Sequence, residues 1–290
     1  MHTTLVALGY QHNWWAILSS GFMRNALIGG TLVALAAGLI GYFIVVRNSA
    51  FAAHALAHIG FPGATGAVLV GLPVTAGLAV FCIGGALVIG ALGKRADERE
   101  VATGTVLAAA TGLGLFFSSL ATRSSSTVTN VLFGNLLAVT HQQLMLFGVA
   151  VLVLAAVIAV VYRPLLFASV NPAVAEARGV PVRLLSVVFM ALLGLAVTMA
   201  VQAVGTLLLF ALVVTPAATA IMLTARPAGA MAVSTALAVF AVWAGLAVSA
   251  VFNMPPSFVI VTIVSIIWFV VWLAAQRSAT EVPGSRQGIG

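Results

Sequence analysis

Phe51-Ala-Ala-His54-Ala-Leu-Ala-His58-Ile-Gly-Phe-Pro62-Gly63 places two imidazoles four residues apart inside an otherwise apolar run. At that spacing they share one face of a helix. Ionisable groups at membrane depth are costly and usually line a pathway, pair with each other or bind something, so the stretch reads as a functional membrane segment. Two ring nitrogens at i and i+4 can grip one metal ion. The bland alternative is a neutral pair that hydrogen-bonds to neighbouring helices.

The surrounding chain supports the membrane reading. Hydrophobic residues make up 62% of the 290 and charged residues 6%, with a mean hydropathy of +1.21. That composition excludes an ordinary soluble domain and defines a polytopic, all-α transmembrane bundle. The formal charge of +7 would suggest nucleic acid in a soluble chain, but here the basic residues are scattered between apolar spans. They act as topology signals, and no nucleic-acid partner is expected. The single cysteine, Cys82, has no partner within the chain for a disulfide and reads as a buried small hydrophobe.

In chain order, apolar stretches of spanning length run over 26–46, 51–71, 74–93, 105–121, 144–162, 184–203, 204–224, 231–252 and 258–275. Each approaches the roughly 20 residues that cross a bilayer core, giving about eight or nine membrane segments in one transmembrane domain over 1–290. Residues 1–23 carry His12-Asn13-Trp14-Trp15, the composition of an interfacial segment. No cleaved signal peptide is expected there, and His2 and His12 read as surface residues. The tail 278–290 is expected to be disordered and cytoplasmic. Pro62-Gly63 should kink or break the second span shortly after the histidines. Lys94-Arg95-Ala-Asp97-Glu98-Arg99-Glu100 reads as a solvated loop or short helix. Residues 131–137 suit a short re-entrant or interfacial element before His141.

Placing Arg47, Lys94, Arg95, Arg99, Arg163, Arg178, Arg183, Arg226, Arg277 and Arg286 on one side leaves Arg24 and Arg123 opposite. The excess marks the cytoplasmic side. From Arg47, the helical rise puts His54 about 10 Å and His58 about 16 Å deep, near the midplane of a core about 30 Å thick. All five carboxylates, Asp97, Glu98, Glu100, Glu176 and Glu281, fall in loops or the tail under this topology. Coupling to a proton or sodium gradient is therefore disfavoured. The only lysine lacks the spacing of a phosphate-binding loop, so energy must come from a partner and the chain itself is not an enzyme.

Asn171-Pro172-Ala-Val-Ala-Glu176-Ala-Arg178-Gly179 is the longest polar interruption. Asn at the N-cap, Pro at the first helical position and Gly at the end spell a short capped helix, placed as either a linker or a docking device. Pro216 sits in the seventh span, where Thr215 and Thr219 can help to satisfy the backbone that it opens. Asn253-Met-Pro255-Pro256-Ser257 turns the chain outside.

Four stretches resemble the permease subunits of bacterial ATP-binding cassette importers for zinc, manganese and iron. They are Gly41-Tyr-Phe-Ile-Val-Val-Arg47 through His58 to Pro62-Gly63, Leu132-Phe-Gly134-Asn135, Asn171-Pro172 to Arg183, and Val204-Gly205 to Thr215-Pro216-Ala-Ala-Thr219-Ala220. The resemblance covers roughly 26–272. It implies a homodimer or paired permease in the bacterial inner membrane, a cytoplasmic ATPase subunit and an extracytoplasmic metal-binding protein. It further implies that the helix bearing Asn171, Pro172, Glu176, Arg178 and Gly179 is the cytoplasmic coupling helix. His58 matches a family ligand, while Pro62, Gly63, Gly205, Thr215, Pro216 and Asn253 take gating or structural places. No cofactor is held permanently; the metal is the cargo.

Three positions depart from the family pattern, each exchanging a carboxylate for a neutral group: His54, Asn171 and Asn253. Imidazole suits zinc better than manganese, so zinc is the expected cargo, then manganese or iron. Two rival readings are a permease for metal chelates or cobalamin, in which the histidines only brace helices, and a membrane scaffold without transport.

Overall fold

A computed structural model describes residues 19–92, 96–120 and 133–280, and among these there is no strand. Nine helical passages follow one another. They are α1 (Gly21–Val46), α2 (Ala50–Leu69), α3 (Val74–Leu92), α4 (Ala96–Leu120), α5 (His141–Val170), α7 (Val182–Val204), the pair α8 (Thr206–Val213) and α9 (Thr215–Leu223), α10 (Pro227–Phe252) and α11 (Pro256–Thr280). Between α5 and α7 lies the short helix α6 (Pro172–Ala177), and a single 3₁₀ turn covers Leu136–Ala138.

Seven of these helices are long and apolar enough to cross a membrane unaided. The exceptions are informative. The two imidazoles lower the hydropathy of α2, and the seventh passage is divided into two short helices. Both are held by neighbours: α2 packs on α3, α4 and α7, and α8 and α9 pack on α1, α10 and α11. Polar or broken backbone at membrane depth is tolerated where other helices enclose it.

Contacts between distant segments sort by end. At one end Asn25 approaches the Val139 carbonyl (3.5 Å), Ser257 donates to the Phe133 carbonyl (3.2 Å) and Thr75 donates to Gln202 (3.2 Å). At the other, Arg47 donates to Ser169 (3.2 Å) beside α6. The second end collects Arg163, Arg178, Arg183, Arg226 and Arg277, and by the excess of basic residues it is the cytoplasmic end.

The core is built from close helix approaches. Gly30 lies under Val242, Gly38 under Thr235 and Gly245 under Ile260, which seats α1 and α11 on α10. Small residues let backbones meet where no hydrophobic force drives helices together in lipid. Cys82 is fully buried and reaches the Leu56 carbonyl at 3.4 Å, as its apolar surroundings imply.

Several expectations are revised. The helix is not broken at Pro62: α2 continues through it to Leu69. Thr65 donates to the Phe61 and Pro62 carbonyls, and packing on three helices holds the helix across the missing N–H. Of the charge run, Ala96–Glu100 forms the first turn of α4, not a loop, while 93–95 fall outside the described residues. The expected interfacial segment falls largely outside them too, though Gly21–Met23 already open α1, as do Arg123, His2, His12 and the tail beyond Thr280. Residues 278–280 of that tail still belong to α11.

Candidate metal pathway

His54 and His58 lie one turn apart on α2, ring centroids 4.8 Å apart and nearly perpendicular at 71°. The helix has two faces. Ala53, Leu56, Ala57 and Ile59 are buried, while both imidazoles are half-buried and Phe51, one turn before them, is 45% exposed. Alanines flanking the histidines keep α2 close to its neighbours without covering the rings. Across from them stands Phe210 of α8, its ring centroid 6.3 Å from that of His54 and edge-on at 83°. The pair therefore sits on an open face, walled by an aromatic ring.

The segment bearing Phe210 is held by special backbone. Gly205 joins α7 to α8 with φ 82° and ψ 167°, a conformation essentially limited to glycine. Gly134, also at positive φ, packs against the Gly205 nitrogen, so it has no room for a side chain. At Val214 α8 gives way to α9, with Pro216 in its first turn. Thr219 donates to the Thr215 carbonyl (2.8 Å), the kind of local support expected near that proline.

Among the described residues no three of His, Cys, Asp and Glu gather into a metal-holding group. The pair supplies two nitrogens and no carboxylate. Such a site would hold a passing ion weakly, whereas a closed four-ligand site retains it. His141 is exposed at the start of α5, and Asn253 sits in the left-handed turn (φ 52°) between α10 and α11. Gly63 packs against Gly77 on α3.

At the cytoplasmic end, the Asn171 carbonyl-type oxygen accepts from the Val174 N–H (3.1 Å), Pro172 occupies the first turn of α6, and Gly179 closes it at φ 79°. Only Ala175 of this helix is buried, while Pro172, Glu176, Arg178 and Gly179 are exposed. The capped turn thus presents its charged residues outward.

Sequence reading missed a polar cluster at the outer end. Gln202, at the end of α7, accepts from Thr75 (3.2 Å) and Gln143 (3.4 Å) and donates to the Thr198 carbonyl (3.2 Å). Gln202, Thr75 and Gln143 line, with Asn135, a cavity of about 230 Å³. A lone amide near the end of an apolar span was the available signal. It also missed Phe210, which looks like any lipid-facing aromatic.

A multi-pass helical membrane protein with a histidine pair on a half-open helix face and a short capped helix at its cytoplasmic end is thus defined. The chain belongs to the ABC 3 transport family, whose profile matches residues 19–275. It is similar to the manganese transport system membrane protein MntC of Listeria innocua, 32% identical over 262 residues, covering 90% of this chain and 93% of that one. The manganese import system permease protein ScaB of Streptococcus parasanguinis is also 32% identical, over 88% of this chain and 91% of its own. Among solved structures, PsaBC from Streptococcus pneumoniae in complex with Fab superposes with a TM-score of 0.79 at 26% identity, covering 94% of this chain and 95% of the other. The chain is a permease of an ATP-binding cassette metal importer and a multi-pass protein of the inner membrane.

Proposed function

We propose that this permease passes a divalent transition-metal ion into the cytoplasm by way of His54 and His58, with zinc preferred over manganese. The carrying observation is the imidazole pair itself, 4.8 Å between centroids on the half-open face of α2. Nitrogen-only ligation favours zinc, whereas manganese prefers oxygen donors. The second reading, manganese as the main cargo, is favoured by the names of the relatives.

The working assembly contains two copies of this chain, a cytoplasmic ATP-binding cassette ATPase docked on α6 and an extracytoplasmic metal-binding protein. The dimer is supported by the exposed face that runs from Phe51 past the histidines to Phe210. Docking is supported by the exposed Glu176 and Arg178 on a helix whose ends are capped by Asn171 and Gly179. Hydrolysis then belongs to the partner.

Uptake of radioactive zinc into proteoliposomes holding all subunits tests the site. His58→Ala should abolish uptake while the ATPase still co-purifies. Wild-type uptake by that variant would exclude the pair as the path. Competition by manganese at equal concentration decides between the two cargo readings.

A further inference from the structure

Arg47, in the turn that leads into the histidine helix, reaches the end of the helix that leads into α6. Its Nη1 donates to Ser169 Oγ at 3.2 Å, and Ser169 passes the bond on to the Leu165 carbonyl at 2.6 Å. Two residues beyond Ser169, Asn171 caps α6. The guanidinium carbon also lies 4.9 Å from the ring centroid of Phe189, a fully buried residue of α7. One planar group thus touches both helices between which α6 is strung.

On its own side Arg47 is held in a tight α1–α2 turn. Its N–H bonds to the Phe43 carbonyl (3.0 Å), Asn48 takes a left-handed φ of 50°, and the Ser49 N–H bonds back to the Ile44 carbonyl (2.8 Å). Ser49 Oγ donates to the Arg47 carbonyl at 3.2 Å, and the Ala53 N–H bonds to the Ser49 carbonyl at 3.0 Å. Ala53 is the residue before His54. A turn bonded this closely moves as a unit, so a displacement of the Arg47 head group is passed to the base of α2.

We infer that Arg47 is a positioning residue that transmits displacement of α6 to the His54–His58 helix through Ser169 and Phe189. The inference rests on the reading of α6 as the ATPase contact. Arginine suits the role because its fixed fork can donate a hydrogen bond while its plane stacks on an aromatic ring; the lysine ammonium offers a point charge instead.

The test uses the complete transporter with Phe51→Cys as reporter: Phe51 lies one turn before His54 on the face proposed to meet the second copy, so its alkylation follows opening of that face, and the native Cys82 is fully buried. The rate of alkylation by N-ethylmaleimide is compared without nucleotide and with Mg·ATP plus vanadate. The Arg47 parent should show a nucleotide-dependent rate. Arg47→Gln should reduce that dependence by about tenfold, on the scale of a hydrogen bond to a charged group. Arg47→Lys should restore part of it, and Ser169→Ala should give an intermediate loss while the ATPase remains bound.

A merely structural Arg47 would lower thermal stability but leave the nucleotide dependence of the folded fraction intact. Undiminished dependence in both Arg47→Gln and Ser169→Ala overturns the inference alone. A parent whose labelling ignores nucleotide, in a complex that still hydrolyses ATP, overturns the docking reading together with it. Should Arg47→Gln fail to fold, Ser169→Ala, which loses only a hydroxyl, decides.

Discussion

Gly63 of α2 and Gly77 of α3 meet main chain to main chain: a Cβ on either would overlap the other's carbonyl oxygen. The helix carrying the imidazoles is therefore pinned to its neighbour one turn beyond His58. Gly63→Ala or Gly77→Ala should destabilise the protein by about 1–3 kcal/mol, the usual cost of overpacking. Gly84 of the same helix faces open space, so Gly84→Ala should be neutral or slightly stabilising. Thermal unfolding in detergent, followed by size-exclusion fluorescence, compares the three.

Of the three positions at which the family resemblance leads one to expect a carboxylate, His54 is the one beside the second imidazole. His54→Asp restores an oxygen donor beside the His58 imidazole, and should shift the zinc-to-manganese uptake ratio toward manganese on the order of tenfold. Competitive uptake in proteoliposomes reads the ratio directly. An unchanged ratio would assign selectivity elsewhere.

Gly205 holds φ 82° and ψ 167° where α7 ends and α8 begins. Gly205→Ala should cost about 1–3 kcal/mol from backbone strain. Because α8 also carries Phe210, it should loosen the wall opposite His54. Hydrogen exchange should rise over 206–213 well before global unfolding is affected.

Gln202 joins the outer ends of α3, α5 and α7 through Thr75 and Gln143. Gln202→Leu leaves both donors without their acceptor and should cost about 1–3 kcal/mol, whereas Gln202→Glu keeps an acceptor in place. The difference between the two melting curves measures the polar contribution apart from the packing.

Much of this was legible in the chain. The apolar runs gave nine passages, the histidine spacing gave a shared face, and Asn171-Pro172 with Gly179 gave a capped turn, because each signal is local. Less legible were effects that depend on distant neighbours. Pro62 does not break α2, since α3, α4 and α7 support it from sides that hydropathy cannot reveal. Ala96–Glu100 is helical because the charge run joins the span after it. Arg47 meets Ser169 across 122 residues, and Thr75 meets Gln202 across 127; no spacing rule announces such pairs.

The placement of the acids has an electrical consequence. Asp97, Glu98 and Glu100 lie in the first turn of α4, Glu176 on α6 and Glu281 beyond α11, so no carboxylate stands deeper in the described spans. On the proposed path, a divalent cation passing His54 and His58 would carry both its charges through the membrane field. At about 100 mV, negative inside, that field favours entry by about 4.6 kcal/mol for two charges. On that path import should be electrogenic: collapsing the membrane voltage at constant ATP should slow it, and each turnover should deliver current as well as metal.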